Sequence, residues 1–210
     1  MSAFLVSALA TLLVTIDPPG MVPVFLTVTE GMTARQRRQV GLIATLIAAG
    51  VLVAFALGGE AVLRTLGVSL PAFRVAGGLL LFWIAFEMLF AREANRRAES
   101  AAVAITRDHI RNVAAFPLAV PLMAGPGAIT AVMLLAGRAR GDAAQLGGLV
   151  AVIGVAMGAT LVTCFLAVPL DRWLGVTVRT VMTRLLGMLL AALAVQFVAD
   201  GIRAYIASSA

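Results

Sequence analysis

The 210-residue chain contains no lysine, one histidine (His109) and one cysteine (Cys164), and only 12% of its residues are charged and 6% aromatic. Each shortage closes off a chemistry. Without lysine there is no P-loop lysine to hold a phosphate and no Schiff base. A single histidine and a single cysteine cannot assemble the common zinc sites, and neither a nucleophile elbow nor a paired-histidine motif occurs. An enzyme is therefore not expected, nor is a resident cofactor or metal. Cys164 cannot form an internal disulfide and reads as a small apolar residue. An average soluble domain carries roughly 25% charged residues, so this chain also lacks the material for a hydrated surface.

What it has in abundance is apolar sequence: 61% of residues are hydrophobic and the mean hydropathy is +1.04. A bilayer is crossed by about 20 apolar residues. Six stretches qualify, approximately 3 to 29, 34 to 57, 70 to 90, 113 to 136, 147 to 169 and 184 to 206. The sequence thus predicts an all-α, multi-pass membrane protein in contact with the lipid bilayer. The net charge of +6 points to orientation rather than to nucleic acid, because the arginines lie in short loops between spans. With the N-terminus outside, ten arginines fall in inner loops (Arg35, Arg37, Arg38, Arg92, Arg96, Arg97, Arg107, Arg111, Arg172 and Arg179). Four fall outside (Arg64, Arg138, Arg140 and Arg203), so both termini are expected outside. Ala8-Leu9-Ala10 has the small-x-small look of a cleavage site, but no basic segment precedes it, and the first span is expected to be retained.

The chain repeats itself. Asp17-Pro18-Pro19-Gly20 interrupts the first apolar run and Gly125-Pro126-Gly127 the fourth, with Pro19 and Gly20 each 107 residues before Pro126 and Gly127. Arg74 followed by Gly77 matches Arg184 followed by Gly187 at an offset of 110, and Leu66-Gly67 pairs with Leu174-Gly175. We read two three-helix repeats, residues 1–90 and 113–210, joined by a cytoplasmic linker, 91–112. Three is odd, so the second repeat enters the membrane upside down. The expected fold is six transmembrane helices as two inverted-topology repeats with broken first and fourth helices. His109 lies in the linker and reads as a surface side chain. Thr33-Ala34-Arg35-Gln36 fits a capping box that would start the second helix, although a chance match in a basic loop accounts for it as well. The small-residue stripes Gly50-Ala54-Gly58 and Gly154-Gly158 read as helix-packing surfaces.

A broken helix at mid-membrane depth is tolerated where its freed backbone faces protein or a water-filled cavity. Proline suits the first turn of a new helix and Asp17 suits the cap before it, so each break starts a helix whose unpaired amides face the midplane. Inverted topology would bring these two positive ends together as a site for a carboxylate, with Gly20 and Gly127 leaving backbone amides open. The candidate substrate-binding residues are Asp17, Pro19, Gly20, Met21, Gly125, Pro126, Gly127 and Thr130. Asp17 carries two readings: a functional charge that meets a substrate ammonium or a proton, and an N-cap alone. Met21 and Met123, which flank the breaks, could narrow the pocket or simply pack. Glu87, Arg74, Arg184 and Gln196 are further polar candidates, for coupling or for structure. Glu87 reaches the interface, and Arg74 and Arg184 begin helices, where a positive charge calls for an acidic partner such as Glu60 or Asp171. Gln196 and Thr130 could line a cavity or bond between helices.

Three runs in order resemble the MarC family of bacterial and archaeal inner-membrane proteins. They are Asp17-Pro18-Pro19-Gly20-Met21-Val22-Pro23-Val24-Phe25, Phe73-Arg74-Val75-Ala76-Gly77-Gly78, and Pro117 through Thr130. The resemblance covers nearly the whole chain and implies six spans, kinship with LysE-type exporters and a cytoplasmic-membrane location. It also implies transport of small neutral amino acids such as glycine and alanine, with H+ or Na+ as a coupling cation. Asp17 and Met21 stand where the family often has asparagine. The expected function is secondary transport of a small zwitterionic amino acid, in either direction, from a midplane site between the two broken helices. Other readings are efflux of other small solutes or drugs, for which 6% aromatic residues offer little lining, and a non-transporting scaffold in which the breaks are kinks. A homo-oligomer is left open.

Overall fold

The computed structural model describes residues 2–90, 107–139, 142–170 and 176–209, and among these every regular element is helical. We label the elements α1 (Ser2–Ile16), α2 (Pro18–Val28), α3 (Ala34–Thr65), α4 (Leu70–Phe90), α5 (Arg107–Val113), the irregular π-type run α6 (Ala114–Met123), α7 (Pro126–Arg138), α8 (Ala143–Leu170) and α9 (Val176–Ser209). Four segments are long and apolar enough to cross a bilayer: Ser2–Val28, Ala34–Thr65, Ala143–Pro169 and Gly187–Ala207. Arg107–Met123 and Pro126–Arg138 make one further crossing if taken as a single span bent by 58°, and Leu70–Phe86 is a shorter apolar helix. The six expected stretches are therefore all helical, though unequal in reach.

Two helix starts carry the same device. Thr33 and Gln36 form a reciprocal capping box: the Gln36 amide donates to Thr33 Oγ1 (3.3 Å) and the Thr33 amide donates to Gln36 Oε1 (2.8 Å). At the second, 109 residues on, Asp142 Oδ1 accepts from the Ala144 and Gln145 amides (2.9 and 3.0 Å). Its Oδ2 accepts from Gln145 Nε2 (2.8 Å). Thr33→Ala is expected to lower stability by about 1 kcal/mol, the usual worth of an N-cap, read as a fall in the thermal midpoint in detergent. At Asp142 the Gln145 amide and then the Gln145 side chain hold the carboxyl below its ordinary pKa, against an opposing effect of burial, with the Ala144 amide and the chain's N-terminal charge adding less. The folded value lies below the unfolded one. The stabilisation is thus complete above the ordinary carboxylate range and is lost as pH falls through the folded pKa.

α3 packs on α8, and α4 packs on α9, while α1 and α2 both lie on α8 and α6 and α7 both lie on α3. The α4–α9 pair is antiparallel and so close that side chains are excluded along one line. A Cβ at Gly78 would stand 2.9 Å from the Ala194 carbonyl oxygen, one at Gly201 3.0 Å from that of Pro71, and one at Gly187 3.3 Å from that of Ala85. The buried centre is built from Leu12, Phe25, Leu52, Leu118, Met123, Ile153 and Met157. In lipid such interiors are held by van der Waals contact rather than by exclusion of water.

Two expectations need correction. The stripes Gly50-Ala54-Gly58 and Gly154-Gly158 are not packing surfaces, since no heavy atom stands within 4 Å of a Cβ built at any of these four glycines. Close approach is made instead by Gly78, Gly187 and Gly201, which a search for four-residue spacing passes over. Arg184 does not begin a helix either. α9 starts at Val176, so Arg184 is exposed beyond the first two turns, away from the dipole's end. Of the linker, 107 to 112 belong to α5, where His109 is exposed as expected and Ile110 is buried. Residues 91–106, Asp171 and the side chain of Glu87 lie outside the described residues.

Candidate functional site

The first break is made by one residue. Asp17 adopts the left-handed conformation (φ 49°, ψ 67°), which asparagine and aspartate tolerate better than other side chains. α1 ends there, and Pro18 and Pro19 open α2 where no amide donor is missed. Asp17 Oδ1 accepts from the Gly20 amide at 3.2 Å, so the capping reading of this carboxylate is realised. A Cβ at Gly20 would collide with that carboxylate; glycine is required for the cap to sit where it does. Asp17→Ala is expected to lose both the cap and the left-handed tolerance, about 2 kcal/mol together, whereas Asp17→Asn retains both. Thermal unfolding of the two variants beside the parent checks this.

The second break is longer than Gly125-Pro126-Gly127. Phe116 (φ −138°, ψ 128°) and Val120 (φ −130°, ψ 125°) are extended within α6. Each precedes a proline, Pro117 or Pro121, whose ring drives the preceding residue out of the helical region. Gly125 then serves as the extended N-cap of α7 (φ −78°, ψ 170°), with Pro126 at the first position. The two prolines four residues apart were the available signal for this wider interruption. Thr130, buried, donates from Oγ1 to the Pro126 carbonyl at 2.6 Å, a bond within its own first turns rather than across helices.

The two breaks meet. A Cβ at Gly127 would lie 3.1 Å from Thr15 Cγ2, two residues before Asp17, and 2.9 Å from Phe197 Cζ on α9. A Cβ at Gly77 on α4 would lie 2.5 Å from Pro126 Cγ. The start of α7 is thus enclosed by α1, α4 and α9, and only glycine at 77 and 127 permits the approach. Met21 is buried beside the first break, and Met123, fully buried before the second, receives the Thr45 hydroxyl at its sulfur (4.0 Å). Pro19 is exposed and Gly20 half-buried. Thr15 and Phe197, as walls of the site, were missed in the sequence, where nothing distinguishes them from any other apolar-span residue.

Other candidates stand apart. Gln196 is exposed and donates from Nε2 to Asp200 Oδ1 one turn on (2.8 Å), so it neither lines the break nor bridges two helices. Arg74 is half-buried in the second turn of α4. Glu60 lines a different cavity of about 490 Å³ with Asp142, Phe55 and Met133 where α3, α7 and α8 meet; no break residue lines it. Arg37, counted among the inner-loop arginines, is buried in the first turn of α3 and donates from Nε to the Met32 carbonyl (3.2 Å). Among the described residues no three of His, Cys, Asp and Glu are grouped to hold a metal.

Comparison with known proteins gives one consistent match. The family described as MarC family integral membrane protein matches residues 2–206. A UPF0056 membrane protein of Methanocaldococcus jannaschii is 37% identical over 205 residues, 95% of this chain and 96% of the relative. The UPF0056 membrane protein YvbG of Bacillus subtilis is 32% identical, covering 97% and 96% of the two chains. YhcE of Escherichia coli is 32% identical over 90% and 86%. No solved structure matches.

Proposed function

We propose, from the premise that the chain belongs to the MarC family of integral membrane proteins, that it is a secondary transporter of small neutral zwitterions, with glycine and alanine the first candidates. The observation that carries this reading is the closeness of the two breaks: Gly127, at the start of α7, stands against Thr15, at the end of α1 two residues before Asp17, with Phe197 closing the third side. Helix N-termini gather unpaired amides and positive partial charge, which suits a carboxylate. Asp17, or carbonyls freed by the breaks, suits the ammonium.

The two-repeat reading has support of its own. Exchanging the first break for the second, α3 for α8 and α4 for α9 leaves the pattern of neighbours essentially unchanged: α3 with α8, α4 with α9, the first broken helix with α8 and the second with α3. The matched caps at Thr33 and Asp142 follow the same exchange. Inverted repeats packed about an axis in the membrane plane give this pattern. The rest of the proposal is a cytoplasmic-membrane location with both termini outside, no enzymatic step, no resident cofactor, and H+ or Na+ as the candidate coupling cation.

The test is counterflow in proteoliposomes preloaded with unlabelled alanine and given labelled glycine or alanine outside. The parent protein is expected to accumulate label transiently above equilibrium. No accumulation by well-folded protein would overturn the amino-acid assignment. Asp17→Asn is expected to retain exchange if the cap is the carboxylate's whole role; loss of exchange in a stable variant would assign the charge itself to the substrate or to a proton.

A further inference from the structure

The repeats match in pattern but not in how they are filled. The cavity of about 490 Å³ lies where the far end of α3, α7 and the start of α8 meet, and its lining includes Phe55 on α3 and Met133 on α7. Behind Phe55 sits Phe73 of α4, their rings 5.7 Å apart, one turn before the Gly77 that abuts Pro126. A chain of contacts thus runs from Phe55 in the cavity wall through Phe73 to the helix turn that carries Gly77 against the second break.

The equivalent place in the other repeat is where the far end of α8, α2 and the start of α3 meet. At the offsets set by the breaks and the caps, Gly59 corresponds to Val168, Ala136 to Thr29 and Leu146 to Arg37. Gly59, Ala136 and Leu146 line the open cavity. Val168, Thr29 and Arg37 are all buried, at 9%, 0% and 5% exposure. Thr29 and Arg37 thus fill on one side what the smaller Ala136 and Leu146 leave open on the other, while Gly59, under Phe55 and Met133, is buried as Val168 is. The arginine is held to the Met32 carbonyl at the end of the α2–α3 turn, and the Thr29 hydroxyl donates to the Phe25 carbonyl at 2.7 Å.

We propose that the cavity beside Glu60 and Asp142 is the vestibule through which the solute reaches the break site from one face, and that Arg37 is the latch that seals the equivalent route to the other face. This rests on the transport reading. The structure is then a state open on one side, and the return step requires Arg37 to leave Met32 while the lining around Ala136 and Leu146 closes. An arginine is suited to such a latch. Its charge favours water, so withdrawing it toward the membrane surface recovers hydration that its burial had cost.

The test is labelling by a membrane-impermeant thiol reagent in right-side-out and inside-out vesicles, using full-length protein in which Cys164→Ser has removed the native thiol. Ala136→Cys is expected to react from one face only and Thr29→Cys from neither. Adding Arg37→Gln is expected to raise the reaction of Thr29→Cys by about tenfold, from the face opposite to that of Ala136→Cys, because removing the latch shifts the population toward the other open state. An unreactive Ala136→Cys, a reactive Thr29→Cys with Arg37 intact, or both reacting from the same face would overturn the proposal. The first two measurements need no change at Arg37, so they stand even if Arg37→Gln fails to fold. Labelling needs no solute: the wrong pattern in a protein that performs counterflow sinks the vestibule alone, and absent counterflow in the parent sinks the transport reading.

Discussion

Gly127→Val is expected to abolish counterflow while leaving the chain inserted and helical. A single added carbon already falls 2.9 Å from Phe197 Cζ and 3.1 Å from Thr15 Cγ2, and valine adds two more with little freedom to turn them aside in a helix. Phe197 can shift along its ring plane and the Thr15 methyl can give way by tenths of an ångström. Folding should therefore survive at a cost typical of overpacking, about 1–3 kcal/mol. The close approach of the two breaks should not survive. Counterflow is expected to fall at least about a hundredfold, the range lost when a binding geometry moves by an ångström, with circular dichroism close to the parent's. Gly127→Ala should lie between the two. A Gly127→Val protein that exchanges at the parental rate would mean the solute passes elsewhere, and a protein that merely unfolds would favour the breaks as kinks in a scaffold.

The larger loss of stability is expected at Gly77. There a Cβ would stand 2.5 Å from Pro126 Cγ and 2.6 Å from its Cβ, and a proline ring, unlike a phenylalanine, has no rotamer to escape into. Pro126 is also fixed at the first turn of α7 by its own φ and by the Thr130 hydroxyl on its carbonyl. Gly77→Ala is thus expected to push α4 from α7 and to cost about 3 kcal/mol or more, at the upper end for overpacking, read as a fall in the unfolding midpoint in detergent. Gly78→Ala, aimed at the Ala194 carbonyl and Val198 on α9, disturbs a different interface. If Gly77→Ala unfolds at the parental temperature, the α4–α7 contact is not as drawn.

How much of this could be read beforehand follows from where the physics is local. Helix caps and breaks are local: Thr33 with Gln36, and Asp17 before two prolines, are decided by residues three or four apart, and both are realised. The widening of the second break at Phe116 and Val120 was equally local, and the prolines that cause it were in plain view. Contacts between helices are not local. That Gly77 abuts Pro126 and Gly127 abuts Phe197 depends on how α4 and α9 are rotated, and a glycine in an apolar run carries no mark of its neighbour. The same limit explains why Gly50 and Gly154, at a suggestive spacing, meet nothing within 4 Å, while Gly78 and Gly201 carry the close contacts. Arg37, counted with the inner loops for orientation, sits in the first turn of α3, and its burial against the Met32 carbonyl depends on how the chain turns from α2 into α3.

The unequal breaks have a mechanical consequence. The first span is articulated at a single joint, Asp17, whereas the fourth has three, at Phe116, Val120 and Gly125. Two limbs interrupted at one place and at three are not mirror images of each other: the first is two rods meeting at one bend, the second a chain of short pieces.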